Sequence, residues 1–298
     1  MMLVFKRISV QTHKTFQEWA NMSSENSGKV WFITGASRGF GLLWATAALE
    51  RGDRVAVTAR NVDALDHLSQ KYGDAVLPLS LDVTDRGATF AAVNLATHHF
   101  GHLDIVLNNA GYGHQGTVEE ASEEEARAQM ETNYFGVLWI TQAALPVFRA
   151  QGFGHLLAVS SVLGVFSVPT FGIYSASKFA VEGLFDALSQ EVKNFGINVT
   201  LIEPAGYATD FGNASSAKYS EQIPAYAPVR ESLAKMASGY AYGDPAATSP
   251  AILALVDSTN PPVRLGLGQT AVPDMTATSQ QKITTWEAWR DVSAAAQG

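Results

Sequence analysis

Val30-Trp31-Phe32-Ile33-Thr34-Gly35-Ala36-Ser37-Arg38-Gly39-Phe40-Gly41 is the stretch on which the reading of this chain turns. Its first part, Val30 to Ile33, is an unbroken apolar run, the pattern of a short buried strand. Thr34-Gly35 ends it, and residues 42–50 then carry a helical pattern that stops at Gly52. Gly35 allows a tight exit from the strand, Gly39 lets the backbone approach a pyrophosphate, and Gly41 lets the helix pack close to the sheet. The helix N-terminus offers free N–H groups and a partial positive charge to phosphates, with Ser37, Arg38 and Phe40 set among the glycines. Three residues separate the first two glycines and one separates the last two, which differs from the common G-x-G-x-x-G spacing.

Working outward, further strands are predicted over 54–58, 76–81, 104–107, 155–159, 197–202 and 263–267, with helices over 62–71, 88–100 and 184–192. Strands alternating with helices predict an α/β fold: a single doubly wound Rossmann-type domain with a seven-stranded, mostly parallel sheet and helices on both faces. The domain is expected over 29–275, including an irregular substrate-binding segment, 207–247, whose prolines and small residues predict short helices lying over the sheet. Residues 1–28 read as a loose N-terminal extension, and 276–298 as a C-terminal helical tail.

The 298 residues, 47% hydrophobic and 16% charged, can bury a sizeable core. A net charge of -8 without any basic run argues against a nucleic-acid partner. No apolar run approaches a membrane span, and Leu3-Val4-Phe5 is too short for a signal-peptide core. Lys6, Arg7 and Lys14 give the start of the chain a weakly basic, amphipathic look that a transit peptide would share. The absence of cysteine excludes disulfides, thiol nucleophiles and cysteine-ligated zinc. It fits a reducing compartment, and a cytoplasmic location is expected.

The end of the second strand selects the cofactor. An acidic residue there would bond the ribose 2′-hydroxyl of NAD. This chain has Thr58-Ala59-Arg60 instead, and Arg38 in the glycine turn can lie near the same spot. Two guanidinium groups without a carboxylate suit a 2′-phosphate, which points to NADP(H).

Tyr174-Ser175-Ala176-Ser177-Lys178 sets a phenol and an ammonium four residues apart, on one helical face. It is the only Tyr-x-x-x-Lys pair among the nine tyrosines. The neighbouring cation is expected to lower the tyrosine pKa from about 10 toward working pH, as a general acid for a carbonyl requires. The fifth predicted strand ends in Ser160-Ser161, where a hydroxyl can bond a substrate oxygen in the crevice, or simply start a loop.

Together these motifs resemble the short-chain dehydrogenase/reductase family, of the NADP(H)-preferring carbonyl reductase type, from about residue 29 to about residue 268. The matching pieces are the glycine turn, Asp82-Val83, Asn108-Asn109-Ala110-Gly111, Asn133, Ser161, Tyr174 with Lys178, and Pro204-Ala205-Gly206 with Thr209. The family's serine stands thirteen positions before its tyrosine, which selects Ser161. The resemblance implies that Tyr174 exchanges the proton, that Lys178 lowers its pKa and holds the nicotinamide ribose, and that Ser161 orients the substrate oxygen. It implies that Asn133 anchors a water leading to Lys178, that Asp82 and Val83 flank the adenine, and that Asn109, Ala110 and Gly111 border the cofactor. Pro204 and Gly206 would contact the cofactor, and Thr209 its nicotinamide carboxamide or its pyrophosphate. One departure stands out: Ala205 replaces a glycine, which would cost about 1 kcal/mol if that position needs a positive φ.

The implied reaction interconverts a ketone and a secondary alcohol. Tyr112, His114, Phe166, Phe171, Tyr207 and Phe211 stand where the substrate pocket is expected. They suggest a bulky apolar or aryl ketone, although they suit a core equally well. A non-catalytic NADP(H)-binding regulator and an epimerase built on the same Tyr and Lys are the alternatives. The resemblance implies a homodimer or homotetramer packed through the helices that carry Asn133 and Tyr174. His98, His99 and His102 read as a solvent-facing helix end, and no metal is expected. Ser122 before Glu123-Glu124-Glu125 reads as an N-cap with acids in the first turn.

Overall fold

The computed structural model describes residues 28–209 and 216–298. The expected N-terminal extension, apart from Gly28, and Phe211 lie outside the described residues. In chain order the strands are β1 (Val30–Ile33), β2 (Arg54–Ala59), β3 (Val76–Ser80), β4 (Ile105–Asn108), β5 (Gly113–Gln115), β6 (Gly154–Val159), β7 (Ile197–Pro204), β8 (Ala217–Tyr219) and β9 (Arg264–Leu267). The α-helices are α1 (Gly39–Arg51), α2 (Asp66–Tyr72), α3 (Arg86–Phe100), α4 (Glu123–Met130), α5 (Gly136–Gln151), α6 (Gly172–Glu191), α7 (Ala227–Ser238), α8 (Ser249–Asp257), α9 (Ala271–Ala288) and α10 (Arg290–Ala295).

Seven strands form one sheet in the order β3-β2-β1-β4-β6-β7-β9. Every pairing in it is parallel, so the sheet is entirely rather than mostly parallel. Parallel strands covered on both faces explain the unbroken apolar run of β1. Val30 and Phe32 face one core, with Ile140 and Phe148 of α5 and Phe185 of α6. Trp31 and Ile33 face the other, with Trp44 of α1 and Ile252 of α8. The Trp44 indole also donates to Thr248 Oγ1 at 2.7 Å, tying α1 to the segment that opens α8.

From β1 the chain builds the sheet outward to β2 and β3, then returns to place β4 on the other side. That reversal opens a crevice at the carboxyl ends of β1 and β4. Strand β8 pairs with β5 in a separate two-stranded parallel sheet, which ties the irregular segment to the loop after β4. Helix α9 begins at Ala271, ahead of the predicted tail boundary at 276. Lys282 on it donates to the Val165 carbonyl at 2.5 Å, laying the helix over the loop after β6. Among the described residues no helix is long and apolar enough to cross a membrane.

At the opposite ends of the strands, fully buried Asp53 gathers donors. It accepts from the Gly28 amide at 2.8 Å, the Trp31 indole at 2.8 Å and Arg51 Nη2 at 2.5 Å. Arg51 also reaches Asp257 at 2.7 Å. Removing Asp53 would leave the Gly28 amide and the buried Trp31 indole without this acceptor and take from Arg51 one of its two carboxylate partners. Asp53→Ala should lower the unfolding free energy by about 3–5 kcal/mol in a denaturant titration. A loss below about 1 kcal/mol would show that the cluster does not hold the base of the sheet.

Candidate active site

The glycine turn sits where the sequence places it, and its neighbours explain its glycines. Gly35 has φ +67°, and a Cβ there would lie 2.9 Å from the Ala110 Cα. Gly39 has φ +56°, but a Cβ there would meet nothing within 4 Å. The turn is therefore pressed against β4 at one end and open at the other. The Asn109 side chain donates to the carbonyls of Thr34 at 2.9 Å and Gly35 at 3.0 Å. The Thr34 hydroxyl accepts from the amides of Asn109 and Ala110, both at 3.0 Å. Helix α1 then opens at Gly39 with no side-chain cap on its first turn. Uncapped N–H groups at a helix start, beside a glycine with open space around it, are of the kind that accept phosphate oxygens.

The Ala36 amide donates to the Thr58 carbonyl at 2.9 Å, bringing the turn beside the end of β2. Arg38 and Arg60 are both exposed, and Ser37 is half-buried. Asp82 accepts from the Thr84 amide at 3.0 Å and hydroxyl at 2.8 Å, which shapes the loop after β3. Val83 turns into the core, where its Cγ2 lies 2.8 Å from the position a Cβ would take at Gly136. Gly111 is exposed above the end of β4.

Tyr174 and Lys178 lie one turn apart on α6, and both are buried. The Lys178 ammonium donates to the Val159 carbonyl at 2.7 Å and stands 5.7 Å from the Tyr174 ring centre. Ser161 follows β6, where its hydroxyl accepts from the Leu163 amide at 3.1 Å. The expected lowering of the tyrosine pKa is not found. Burial pushes the Tyr174 phenol up to about 12, opposed only by its hydrogen bond with Ser161. Burial also pulls Lys178 down to about 8, against the charge of Glu182. Desolvation is the largest cause of both shifts because both groups are withdrawn from water.

Asn133 is fully buried in a π-helical turn, Glu131–Phe135, between α4 and α5. Its amide donates to the Tyr112 carbonyl at 3.0 Å and to Ser177 Oγ at 3.1 Å, and its oxygen accepts from the Tyr112 amide at 3.1 Å. Ser177 passes the link on by donating to the Tyr174 carbonyl at 2.6 Å. This bridge between the loop after β4 and α6 is a role the sequence reading missed. Its only signal is the position of Ser177 three residues after Tyr174.

Pro204 ends β7 and is followed by Ala205, whose amide donates to the Leu267 carbonyl at 2.9 Å. Thr170 is the one non-glycine with positive φ among the described residues, so Ala205 is unstrained. Gly206 is needed for space, since a Cβ would lie 2.5 Å from the Tyr240 ring. The Thr209 amide donates to the Tyr207 carbonyl at 2.8 Å. Of the predicted pocket aromatics, Phe171 lies edge-on to Tyr174, with centroids 6.4 Å apart, and Tyr207 packs edge-on against Phe40 at 5.3 Å. His114 is no pocket wall: it is 1% exposed and meets Ser220 Oγ at 3.0 Å. Ser122 and Glu125 form a capping box on α4, and Glu125 also accepts from Ser220 at 2.8 Å, tying the irregular segment down.

A family model described as short chain dehydrogenase matches residues 29–220. An oxidoreductase of Botryotinia fuckeliana is 39% identical over 274 residues, 90% of this chain and 98% of the relative. A short-chain dehydrogenase from Streptomyces avermitilis superposes with a TM-score of 0.84 at 38% identity, covering 91% of this chain and 99% of that one. An alcohol dehydrogenase from Thermococcus sibiricus, solved with 5-hydroxy-NADP, superposes with a TM-score of 0.67 at 28% identity, covering 81% and 96%.

The burial of Tyr174 has a direct optical consequence. In the free protein its phenol should stay protonated through pH 10, so the ultraviolet difference between the protein and Tyr174→Phe shows no phenolate step below that pH. A step between pH 7 and 8 that vanishes in the variant would contradict the dominance of desolvation.

Proposed function

The chain belongs to the short-chain dehydrogenase family of pyridine-nucleotide-dependent oxidoreductases, and from that premise we propose that it reduces a bulky apolar or aryl ketone to a secondary alcohol with NADPH. The observation that carries this reading is the convergence of Ser161, Tyr174 and Lys178 in the crevice beside an open glycine turn.

The turn from Gly35 to Gly41 would hold the pyrophosphate, and Arg38 with Arg60 the 2′-phosphate. The absence of an acid at Thr58-Ala59-Arg60 supports NADP(H) over NAD(H). Asp82 and Val83 would border the adenine, Asn109 to Gly111 the middle of the dinucleotide, and Lys178, Pro204, Gly206 and Thr209 its nicotinamide end. When bound, the nicotinamide supplies a hydride to the carbonyl carbon. The protein's own part is to orient and protonate. Ser161 donates to the substrate oxygen as negative charge grows there. Tyr174 Oη then gives that oxygen its proton, and a phenol held neutral by burial is ready to do so. The ammonium of Lys178 beside the ring stabilises the phenolate left behind. The reverse reaction uses the same groups.

The substrate class rests on the walls of the cleft. Pro169, in the loop before α6, stands with Pro228, Val229, Ser232, Leu233 and Met236 of α7 around an open, mostly apolar cleft of about 340 Å³, which lies beside the helix that carries Tyr174 and does not itself touch Tyr174. Such a lining takes an apolar substituent more readily than a sugar. We also infer a homodimer or homotetramer, which rests on the resemblance alone, and a cytoplasmic location, which rests on the absence of cysteine.

NADPH oxidation against a panel of aryl and aliphatic ketones tests the reading. Tyr174→Phe should lower kcat/KM by about 10²–10⁴-fold without a change in Tm. A silent wild type that still binds NADPH would leave a binding regulator, and inversion of an alcohol centre without net oxidation would leave an epimerase. For the cofactor, replacing Arg38 and Arg60 together by alanine should weaken NADPH by about 10–100-fold and spare NADH. Equal weakening of both nucleotides would contradict a 2′-phosphate site.

A further inference from the structure

Helix α7 supplies most of the wall of the apolar cleft, yet none of its own residues is buried. Val229, Ser232, Leu233 and Met236 fall on one face of it, and that face lines the cleft. A helix of 12 residues without a buried face is not held in place by an apolar core. What holds it lies on the neighbouring stripe, where Tyr226, the residue before the helix, and Arg230 stand one turn apart.

Arg230 forks onto Glu120, with Nη1 donating to Oε2 at 3.0 Å and Nη2 to Oε1 at 2.6 Å. Nη2 also donates to the Ile223 carbonyl at 2.9 Å, and the Ile223 amide donates to Glu120 Oε1 at 2.7 Å. The residue that leads into Pro224 and α7 is thus gripped at both of its backbone groups. Glu120 also accepts from the Thr117 amide at 2.8 Å, and its side chain is only 1% exposed. Beside it, the Tyr226 hydroxyl donates to Glu119 at 2.5 Å. A bidentate pair whose carboxylate is withdrawn from water fixes geometry as well as charge.

The opposite wall of the cleft rests on the same stretch of chain. Pro169 precedes Thr170, whose φ is +68°. The Gly116 amide donates to the Thr170 carbonyl at 2.9 Å, and the Gln115 side chain donates to the Thr170 hydroxyl at 3.3 Å. Residues 115–120 therefore anchor both walls, Pro169 through Thr170 and α7 through Arg230.

We propose that Glu120 and Arg230 are positioning residues that set the width of the apolar cleft, and through it the bulk of the ketone substituent that is accepted. The proposal rests on the function proposed above, in which the cleft takes that substituent. Neither residue lines the cleft, so the pair acts through the placing of α7.

Two readouts test it. The first is NADPH-driven reduction of a biphenyl ketone and of butanone, which is too small to fill the cleft. Arg230→Met and Glu120→Gln should each raise KM for the biphenyl ketone about tenfold, keep its kcat within about twofold and leave KM for butanone in place. The double variant should go no further, and Arg230→Lys, which keeps the charge without the fork, should recover part of the loss. The second readout needs no turnover. The chain has no cysteine, so spin labels on Lys235→Cys of α7 and Arg149→Cys of α5, both exposed, report one distance in the free full-length protein. Its distribution should be narrow with the pair intact and broaden in Arg230→Met and in Glu120→Gln. Variants that lower Tm while leaving the KM values and the distance distribution in place would overturn the proposal, as would an equal loss with both ketones. If Arg230→Met fails to fold, Glu120→Gln decides alone. Absence of turnover by the wild type would defeat the functional reading, while a distribution that does not broaden would defeat this one separately.

Discussion

The side-chain amide of Asn109 donates to the carbonyls of Thr34 and Gly35, while the Thr34 hydroxyl accepts from the amides of Asn109 and Ala110. This crossing joins the ends of β1 and β4 at the point where the sheet changes direction. Gly35 must come within contact distance of Ala110 for it to form, so the turn is drawn tight and α1 starts close above the sheet. The next crossing begins on the same loop. Asn133 accepts from the Tyr112 amide and donates to the Tyr112 carbonyl and to Ser177, whose hydroxyl donates to the Tyr174 carbonyl. Glycine turn, loop and catalytic helix are thereby set by side-chain bonds to backbone, which hold geometry more closely than contacts between two flexible chains.

Burial is the second constraint, and it acts on both reactive groups. Tyr174 and Lys178 lose water together, so each is pushed toward its neutral form. For the tyrosine this serves reduction, because the phenol must hold its proton until the substrate oxygen takes it. For the lysine it works against the charged form.

The stretch from Val30 to Gly41 was legible because its residues answer local demands: apolar side chains between two covered faces, then glycine where φ is positive or neighbouring groups come close. Tyr174 and Lys178 were legible because helical spacing alone puts them on one face. The direction of the tyrosine shift was not, since sequence shows the neighbouring charge and hides the burial. His114 was misplaced for a similar reason: an aromatic near a cleft looks like a wall until its partner Ser220, more than a hundred residues away, is seen. The pairing of β5 with β8 and the meeting of Glu182, Glu203 and Arg264 also depend on distant segments, and no local pattern announces them. The π-helical turn at Asn133 hides inside an ordinary helical pattern.

The central claim is that a hydride and a proton reach one carbonyl by separate routes, the proton from Tyr174. The most direct measurement is the mass of the alcohol formed from an aryl ketone with NADPH deuterated at either face of nicotinamide C4. The account predicts one deuterium on the carbinol carbon from one labelled face and none from the other, with the hydroxyl proton exchangeable with water. An alcohol free of deuterium from both, or one whose carbinol hydrogen comes from solvent, would contradict it.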